Sequence, residues 1–404
     1  MGKYEKYLLK LNKMNIALFL VAVPDLKGGG GAERQFCNFY EYFNSIENHS
    51  KNKLYLITDK DSLKNLKNAD ILKNLKNVIV LQTYQFTYLN FLNFVFQLFR
   101  KRIHLLHLVN TYTHHDFNLI YKFKKLQPLT KVKLSINNEV AELIDDLREY
   151  NKSGVLMTRY MNSIKILLEN IQPSGVYTWY KVVADELKKS NLVNTKKCVV
   201  KNSEYCFTDL RKFVPLPNKQ NHVVYASRLC IEKNPLLMVE AVKYLKENYN
   251  NDISNYKFLV YGRGELTEEM KSLINRYELN DYFTLDFSSS MHDVFGISKI
   301  FISTQPIENF TSLSMLEAMA CGNVIIAKNV GQTDLFVKEG KNGFLYEGND
   351  YKNVALAIRK AILLSDTGFK AMSQVSVDLA TNHHNVKNFS DEIELFFEEV
   401  VDKS

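Results

Sequence analysis

Short apolar runs alternate with amphipathic stretches along the first half of the chain. Runs rich in Val, Ile and Leu are typical of strands buried in a parallel sheet, and the amphipathic stretches between them are typical of helices that cover such a sheet. The pattern predicts helices over residues 32–43 and 88–102. It predicts strands over residues 16–23, 54–58, 78–82, 105–109 and 132–136. We therefore expect an α/β domain built from βαβ units.

A second alternating series begins after an irregular stretch at residues 213–218, where two prolines disfavour helix and sheet. Its predicted helices are residues 235–247, 268–277, 314–320 and 354–364. Its predicted strands are residues 223–226, 258–261, 283–287, 300–303, 324–327 and 343–346. Together the two series predict an α/β fold of two Rossmann-like domains whose parallel sheets face each other across a cleft. We expect an N-terminal domain over residues 1–210, a C-terminal domain over 211–380, and a helix over 381–404 that packs back toward the first domain.

Composition agrees with two globular domains, since 46% of the 404 residues are hydrophobic and 24% are charged. The charge is unevenly divided. Residues 1–220 carry 34 Lys and Arg against 19 Asp and Glu, whereas residues 221–404 carry 18 against 25. The first half is therefore expected to face an anionic partner. Five cysteines without paired spacing argue against a disulfide-built secreted protein, and the apolar run at 16–23 is too short to cross a membrane.

Two glycine-rich or basic loops are candidate anion sites. The loop GGGGAER at residues 28–34 follows the first predicted strand and opens a helix, whose free amides suit an anion. It is not a GxGxxG loop and has no Walker lysine, which disfavours nicotinamide and flavin cofactors. The segment SRLCIEKNP at residues 227–235 places Arg228 and Lys233 before a helix, where two cations can meet a phosphate. The alternative for residues 28–34 is a flexible loop that enters a helix, and the alternative for Arg228 and Lys233 is a solvated pair of surface cations.

A third motif, ENFTSLSMLEAMACG at residues 308–322, contains two carboxylates. Glu308 falls in a strand-to-helix loop, where the chemistry of α/β folds concentrates. Glu317 falls on the predicted helix that follows. Ser314 lies three residues before Glu317, so a capping box is an alternative explanation for that glutamate.

In this order, and with GRGE at residues 262–265 between the last two, the motifs resemble those of the retaining nucleotide-sugar glycosyltransferases of family 4, which have the GT-B fold. The resemblance covers most of the chain and is strongest over residues 223–346. It implies that Arg228 and Lys233 bind the donor diphosphate and act in catalysis. It also implies that Glu308 approaches the donor sugar as a catalytic residue, and that the donor is further bound by Glu317, Gly30, Gly31, Asp286, Phe287, Phe310, Thr311, Ser312 and Leu313.

The chain departs from the family pattern in two places. Eight residues separate the two glutamates where the family usually has seven, so the placement of Glu308 is less secure than that of Glu317. A histidine that the family often has near residue 136 is absent, and Asn137 or Asn138 stands in its region. These two asparagines, with His114, are the candidates for the acceptor side. The DxD at residues 59–61, a metal–diphosphate motif of a different glycosyltransferase fold, is interpreted as an exposed turn, and neither a metal nor a cofactor is expected.

The resemblance implies transfer of a hexosyl unit from a nucleotide diphosphate sugar to a saccharide or lipid-linked acceptor hydroxyl, with retention, in cell-surface polysaccharide or glycolipid synthesis. The alternatives are a non-catalytic nucleotide-sugar-binding protein and a GT-B epimerase or phosphorylase. Nucleic-acid binding is disfavoured because the basic half has no recognisable binding motif.

Residues 88–102 are aromatic around much of the helix and end in three cations. Such a segment can lie on an anionic membrane, or it can be an ordinary helix buried against the sheet. We expect a cytoplasmic protein with peripheral contact at the inner face of the membrane.

Overall fold

The computed structural model describes residues 13–23, 31–45, 47–109, 118–138, 165, 168–288 and 290–403, with the backbone alone at 31, 32 and 138. The described residues form two compact units. One contains the chain up to Ser203 together with the stretch from Val386, and the other contains Glu204–Asn385. The division therefore falls seven residues before the expected boundary at 210, and the second unit extends five residues beyond the expected end at 380.

The first unit is built on a parallel sheet with the strand order β3-β2-β1-β4-β5-β6-β7. Its strands are β1 Asn15–Phe19, β2 Lys53–Asp59, β3 Val78–Leu81, β4 Leu105–Leu108, β5 Lys133–Asn138, β6 Gly175–Thr178 and β7 Val199–Asn202. Its helices in chain order are α1 Gly31–Phe43, α2 Lys60–Asn68, α3 Tyr88–Arg100, α4 Asn118–Thr130 and α5 Lys181–Lys189, to which the C-terminal helix α13 Val386–Asp402 is added.

The second unit is built on a parallel sheet with the order β10-β9-β8-β11-β12-β13. Its strands are β8 Gln220–Ala226, β9 Lys257–Tyr261, β10 Phe283–Asp286, β11 Ser298–Ile302, β12 Val324–Lys328 and β13 Gly343–Tyr346. Its helices are α6 Leu236–Ile253, α7 Thr267–Arg276, α8 His292–Ile297, α9 Leu313–Ala320, α10 Thr333–Phe336, α11 Tyr351–Ile362 and α12 Asp366–Asp378.

All eleven predicted strands are present, and most of their ends lie within about three residues of the predicted ones. They were predictable because they are runs of mainly apolar residues that the sheets largely bury. Strands β6 and β7 were not predicted. Each has only four residues, and β6 follows a Pro-Ser pair and begins at Gly175. A side chain at Gly175 would meet Val400 and Phe396 of α13, with a Cβ only 2.4 Å from the Val400 Cγ2. The glycine therefore lets the C-terminal helix pack against the sheet.

Helix α13 is held on the first unit by aromatic packing and by a partly buried carboxylate. Phe389 stacks on Trp179 with ring centroids 5.1 Å apart. Glu394 accepts a hydrogen bond of 2.6 Å from the Asn52 side chain and a second bond from Ser50. The last stretch of the chain thus completes the hydrophobic cover of the first sheet.

The strand orders locate the functional edge of each unit. In both sheets the first and fourth strands of the unit are neighbours, β1 with β4 and β8 with β11. The connections from such a pair leave to opposite sides, so a crevice opens at the carboxyl ends of the two strands, and ligands of open α/β sheets bind there. In the second unit this crevice lies between the loops that follow Ala226 and Ile302.

Candidate functional site

The loop after β8 is tied to the end of the neighbouring strand β11. The Tyr225 hydroxyl donates a hydrogen bond of 3.2 Å to the Lys233 carbonyl oxygen, and the Thr304 hydroxyl donates one of 2.8 Å to the Asn234 carbonyl oxygen. Asn234 has a φ of +46°, a left-handed conformation that Asn tolerates and that turns the chain toward Pro235 and α6. These contacts hold Lys233 at the switch point of the sheet.

A single glutamine connects Lys233 to the loop that carries Glu308. The Lys233 ammonium donates a hydrogen bond to Gln305 Oε1, and Gln305 Nε2 donates one of 2.8 Å to the Glu308 carbonyl oxygen. Gln305 is almost fully buried, which fixes its amide in this orientation. The Gln305 side chain thus links the Lys233 ammonium to the backbone of Glu308, two residues predicted from separate motifs. Arg228 lies earlier in the same loop and is exposed.

The Glu308 carboxyl is buried and only half satisfied. Its Oε2 accepts a hydrogen bond of 2.9 Å from the Gln332 backbone N–H, whereas Oε1 has no partner among the described residues. The pKa of Glu308 is raised to about 6, chiefly by burial; the hydrogen bond from the Gln332 N–H lowers it, and the nearby Asp334 charge adds a smaller rise. A buried acceptor oxygen without a partner is unusual in a folded protein, and it marks a position where a ligand hydroxyl can donate.

The loop after β12 shapes this position through a glycine. Gly331 has a φ of +56°, and a Cβ at this residue would lie 1.6 Å from Glu308 Oε2. Both the backbone conformation and the space therefore require glycine.

Replacement of Gly331 by Ala is expected to destabilise the protein by about 2–5 kcal/mol, because the left-handed conformation costs roughly 1–2 kcal/mol and overpacking against Glu308 adds roughly 1–3 kcal/mol. Gly348→Ala is a matched control, since Gly348 has a φ of +68° and nothing lies within 4 Å of its Cβ position. The free energies of unfolding in urea measure both variants. Equal losses in the two would show that contact with Glu308 contributes nothing.

Glu317 lies on α9, half-buried, and the helix begins before Ser314. Its N-cap is Ser312, whose hydroxyl accepts a bond of 3.4 Å from the Met315 N–H. Ser314 is therefore inside the helix, and the capping-box alternative for Glu317 is wrong. Thr311 precedes the cap with a φ of +76°, which is rare for a β-branched residue.

The remaining predicted residues of this motif differ in what they can offer a ligand. The Phe310 side chain is buried in the core and packs against Phe336, with ring centroids 5.4 Å apart. Only the backbone of Phe310 can therefore meet a donor. Ser312 and Leu313 begin α9 and are partly exposed, and the first amides of this helix lack intrahelical partners.

Asp286 and Phe287 lie at the end of β10, beside the GRGE loop. The Phe287 ring is half exposed, and the Arg263 guanidinium lies over it at 4.2 Å from the ring centroid. Asp286 Oδ1 accepts a hydrogen bond of 2.7 Å from the Phe287 N–H. Gly262 permits a close approach to the loop after β8, since a Cβ there would lie 1.9 Å from the Ser227 carbonyl oxygen. The flat ring and the cationic loop therefore belong to one continuous edge of the second unit.

The candidates in the first unit are only partly visible. Gly30 and His114 lie outside the described residues, and Gly31 is the first residue of α1. Asn137 is fully buried and donates a hydrogen bond of 3.4 Å to the Val109 carbonyl oxygen. Asn138 ends β5, and only its backbone is described.

The interpretation of the DxD as an exposed turn is wrong for its first aspartate. Asp59 is buried and caps α2, where it accepts hydrogen bonds from the backbone N–H groups of Asp61 and Ser62 at 3.1 and 3.0 Å. Its carboxylate is therefore used by the helix end. Across the part of the chain that the structure describes, no three His, Cys, Asp or Glu side chains gather as a metal site would require.

Gln305, Gly331 and Gln332 contribute to the site and were not predicted. A signal was available for the last two. They follow the predicted strand β12, which neighbours β11 in the sheet, so the loop after β12 comes close to the loop that carries Glu308. Gln305 had no signal in the sequence, because its role depends on side-chain contacts across the loop.

Two parallel α/β units in one chain form the GT-B fold, and the second unit places a lysine, a glutamate and a helix N-terminus at the carboxyl edge of its sheet. Residues 207–373 match the family model of glycosyl transferases group 1, and that match lies within the second unit. A solved glycosyltransferase from Rickettsia africae has the same fold, with a TM-score of 0.67 and 17% identity over 98% of this chain and 100% of that chain.

Two curated relatives carry more specific names. The UDP-Gal:alpha-D-GlcNAc-diphosphoundecaprenol alpha-1,3-galactosyltransferase of Escherichia coli is 29% identical over 48% of this chain and 53% of its own length. The GalNAc-alpha-(1->4)-GalNAc-alpha-(1->3)-diNAcBac-PP-undecaprenol alpha-1,4-N-acetyl-D-galactosaminyltransferase of Campylobacter jejuni is 25% identical over 41% of this chain and 44% of its own length. The chain therefore spans about half the length of the curated relatives that it matches.

Proposed function

We propose that the protein transfers a hexosyl unit from a nucleotide diphosphate sugar to an acceptor hydroxyl, with retention at the anomeric carbon, as members of family 4 do. The observation that carries the proposal is the connection from Lys233 through Gln305 to Glu308 at the switch point of the second sheet. It links a cation for the leaving diphosphate to the loop that carries a buried carboxyl, whose Oε1 can accept a hydrogen bond from a sugar hydroxyl.

The second unit supplies the donor site in this proposal. Breaking the anomeric bond places negative charge on the diphosphate, and fixed cations and helix amides stabilise such charge most when they are already in position. Arg228, Lys233 and the first amides of α9 take that role. Glu317 holds the ribose hydroxyls, while Asp286 and Phe287 frame the base. No metal or cofactor takes part.

The acceptor is proposed to be a saccharide on a lipid diphosphate. The names of both curated relatives contain an undecaprenol-linked saccharide, and that of the Escherichia coli protein contains UDP-galactose as donor. The excess of Lys and Arg in residues 1–220 suits an anionic, diphosphate-bearing acceptor. The product belongs to cell-surface polysaccharide or glycolipid synthesis, at the inner face of the membrane.

The purified chain tests this proposal in two steps. UDP-, GDP- and ADP-sugars are first screened by the melting temperature, since a bound donor stabilises the fold according to its affinity. The stabilising donor is then incubated with polyprenyl-diphosphate saccharides, and the anomeric configuration of the product is determined by NMR. We expect acceptor-dependent release of the nucleotide diphosphate and a retained configuration. Donor isomerisation without acceptor, an inverted product, or no stabilising donor would each contradict it.

A further inference from the structure

The solvent side of helix α3 is apolar. Tyr88, Leu89, Leu92, Phe96 and Phe99 are between 49% and 80% exposed. At about 100° per residue these five side chains fall within roughly 100° of the helix circumference. We call this set the α3 face. An ordinary surface helix presents polar side chains on this side, and a contiguous exposed apolar stripe marks an interaction surface.

The opposite side of α3 is fixed on the first sheet. Phe94 packs edge-to-face against Phe19 of β1 and Phe123 of α4, with ring centroids 5.8 and 5.6 Å apart. Asn90 is also buried and donates a hydrogen bond of 2.6 Å to the Thr83 carbonyl oxygen. The helix therefore buries an asparagine and exposes leucines and phenylalanines. It cannot rotate to cover the α3 face without breaking this packing.

Cations surround the α3 face. Arg100 and Arg102 are exposed at its C-terminal end, and the Lys122 ammonium lies 5.7 Å from the centroid of the Phe86 ring beside its N-terminal end. Residues 71–138 contain ten Lys and Arg and a single acidic residue, Asp116. The surface thus combines exposed aromatic and aliphatic side chains with an excess of positive charge, in which Lys73 is paired with Asp70 at 3.2 Å.

We propose that the α3 face inserts into the interface of an anionic lipid bilayer, with the surrounding cations on the lipid phosphates. This inference rests on the proposed function, because the membrane contact would hold the enzyme at the surface that contains a lipid-linked acceptor. Interfacial helices bury an apolar face about 5–10 Å deep, and each nearby Lys or Arg adds electrostatic attraction to anionic lipid. A second copy of the chain suits the surface less well, because two identical faces with the same excess of positive charge around them repel each other.

A helix that crosses the bilayer would have to be longer and more uniformly apolar than α3. Within the described ranges, no helix combines the length and the hydropathy of a membrane span. The proposed contact is accordingly made by the face of one helix.

Co-sedimentation of the full chain with vesicles tests the proposal. We expect binding to phosphatidylcholine vesicles that contain phosphatidylglycerol, little binding to phosphatidylcholine alone, and weaker binding as salt rises. The double variant Leu89→Ser, Phe96→Ser should bind at least about tenfold more weakly, because it removes inserted apolar surface. The double variant Arg100→Gln, Arg102→Gln should lose roughly thirtyfold. Leu363→Ser is the control, since Leu363 is 53% exposed on the second unit.

Three outcomes would overturn the proposal: binding that ignores anionic lipid and salt, wild-type binding by both double variants, or a lipid-free dimer that Leu89→Ser, Phe96→Ser dissociates in sedimentation velocity. The shift of melting temperature caused by the donor sugar is measured on every variant. An unchanged shift shows that the fold and the second unit are intact. Vesicle binding without any donor-induced shift would count against the proposed transfer reaction and leave the membrane contact standing.

Discussion

Replacement of Lys233 by Ala is expected to lower kcat at least roughly a hundredfold, as the loss of one preorganised donor to a developing negative charge does. The ammonium is held by Gln305 at the end of β11, so it is already oriented before the donor binds. Its removal leaves the departing diphosphate without that cation. Arg228→Ala is expected to have an effect of the same order, because the proposed donor site assigns its guanidinium to the same diphosphate.

Release of the nucleotide diphosphate in the presence of acceptor measures both variants. Lys271→Ala serves as the control, since Lys271 is an exposed lysine of the same unit that pairs with Glu268 at 2.8 Å. Surface pairs of this kind contribute little, so kcat and stability should stay near those of the wild type. Near-normal turnover by both Arg228→Ala and Lys233→Ala would remove these residues from the mechanism.

A double-mutant cycle separates the role of Gln305 from that of Lys233. Gln305 touches the lysine ammonium and the Glu308 backbone, so it is a positioning residue. Once Lys233 is replaced by Ala, the further change Gln305→Ala should lower kcat much less than it does in the wild type, because residues in one hydrogen-bond network do not act independently. Additive losses would show that Gln305 acts on the donor by another route.

The fold was largely predictable because each long strand is a run of apolar residues that a parallel sheet buries on both faces. The strands that escaped prediction depend on distant parts of the chain. At Gly175, where β6 begins, the close packing of α13 leaves no room for a Cβ, and α13 lies more than 200 residues later in the chain. The aromatic segment at 88–102 allowed two interpretations. Which side of α3 is buried was decided by Phe19 and Phe123, and no local pattern contains that choice.

The candidate site was predictable at the positions where loops follow strands. Lys233 and Glu308 could be named because the carboxyl ends of parallel strands meet at one edge. Their connection through Gln305 and the cradle at Gly331 could not, since both arise from contacts between separate loops. Asp59 shows the converse error, because an aspartate interpreted as part of an exposed turn is a buried N-cap.

Replacement of Glu308 by Gln is expected to reduce transfer by at least roughly a hundredfold, the loss typical of one fixed polar group in an active site. The substitution keeps the shape of the side chain and leaves an oxygen that can still accept from the Gln332 N–H. It removes the negative charge that the proposed function places at the donor sugar. Glu247→Gln is the control, because Glu247 is an exposed partner of Lys243 at 3.6 Å and should be silent in turnover.

The same substitution is expected to stabilise the protein at alkaline pH. Burial raises the pKa of Glu308 from 4.5 to about 6, so the folded state holds its proton more tightly than the unfolded state. Below pH 4.5 the Glu308 carboxyl is largely protonated in both the folded and the unfolded state, so its pKa shift has little effect on the free energy of unfolding. As pH rises from 4.5 through 6 the unfolded chain loses its proton first, and wild-type stability falls by about 2 kcal/mol, at 1.36 kcal/mol for each pKa unit.

Glu308→Gln has no carboxyl proton to lose. The free energy of unfolding of the variant minus that of the wild type, measured in urea, should therefore rise by up to about 2 kcal/mol between pH 4.5 and pH 8. A gain in stability together with a loss of turnover identifies a charge that is retained for chemistry at the expense of the fold. A difference between the two proteins that is independent of pH would mean that the carboxyl is not buried as the structure places it. Loss of stability at both pH values would assign Glu308 a structural role through Gln332.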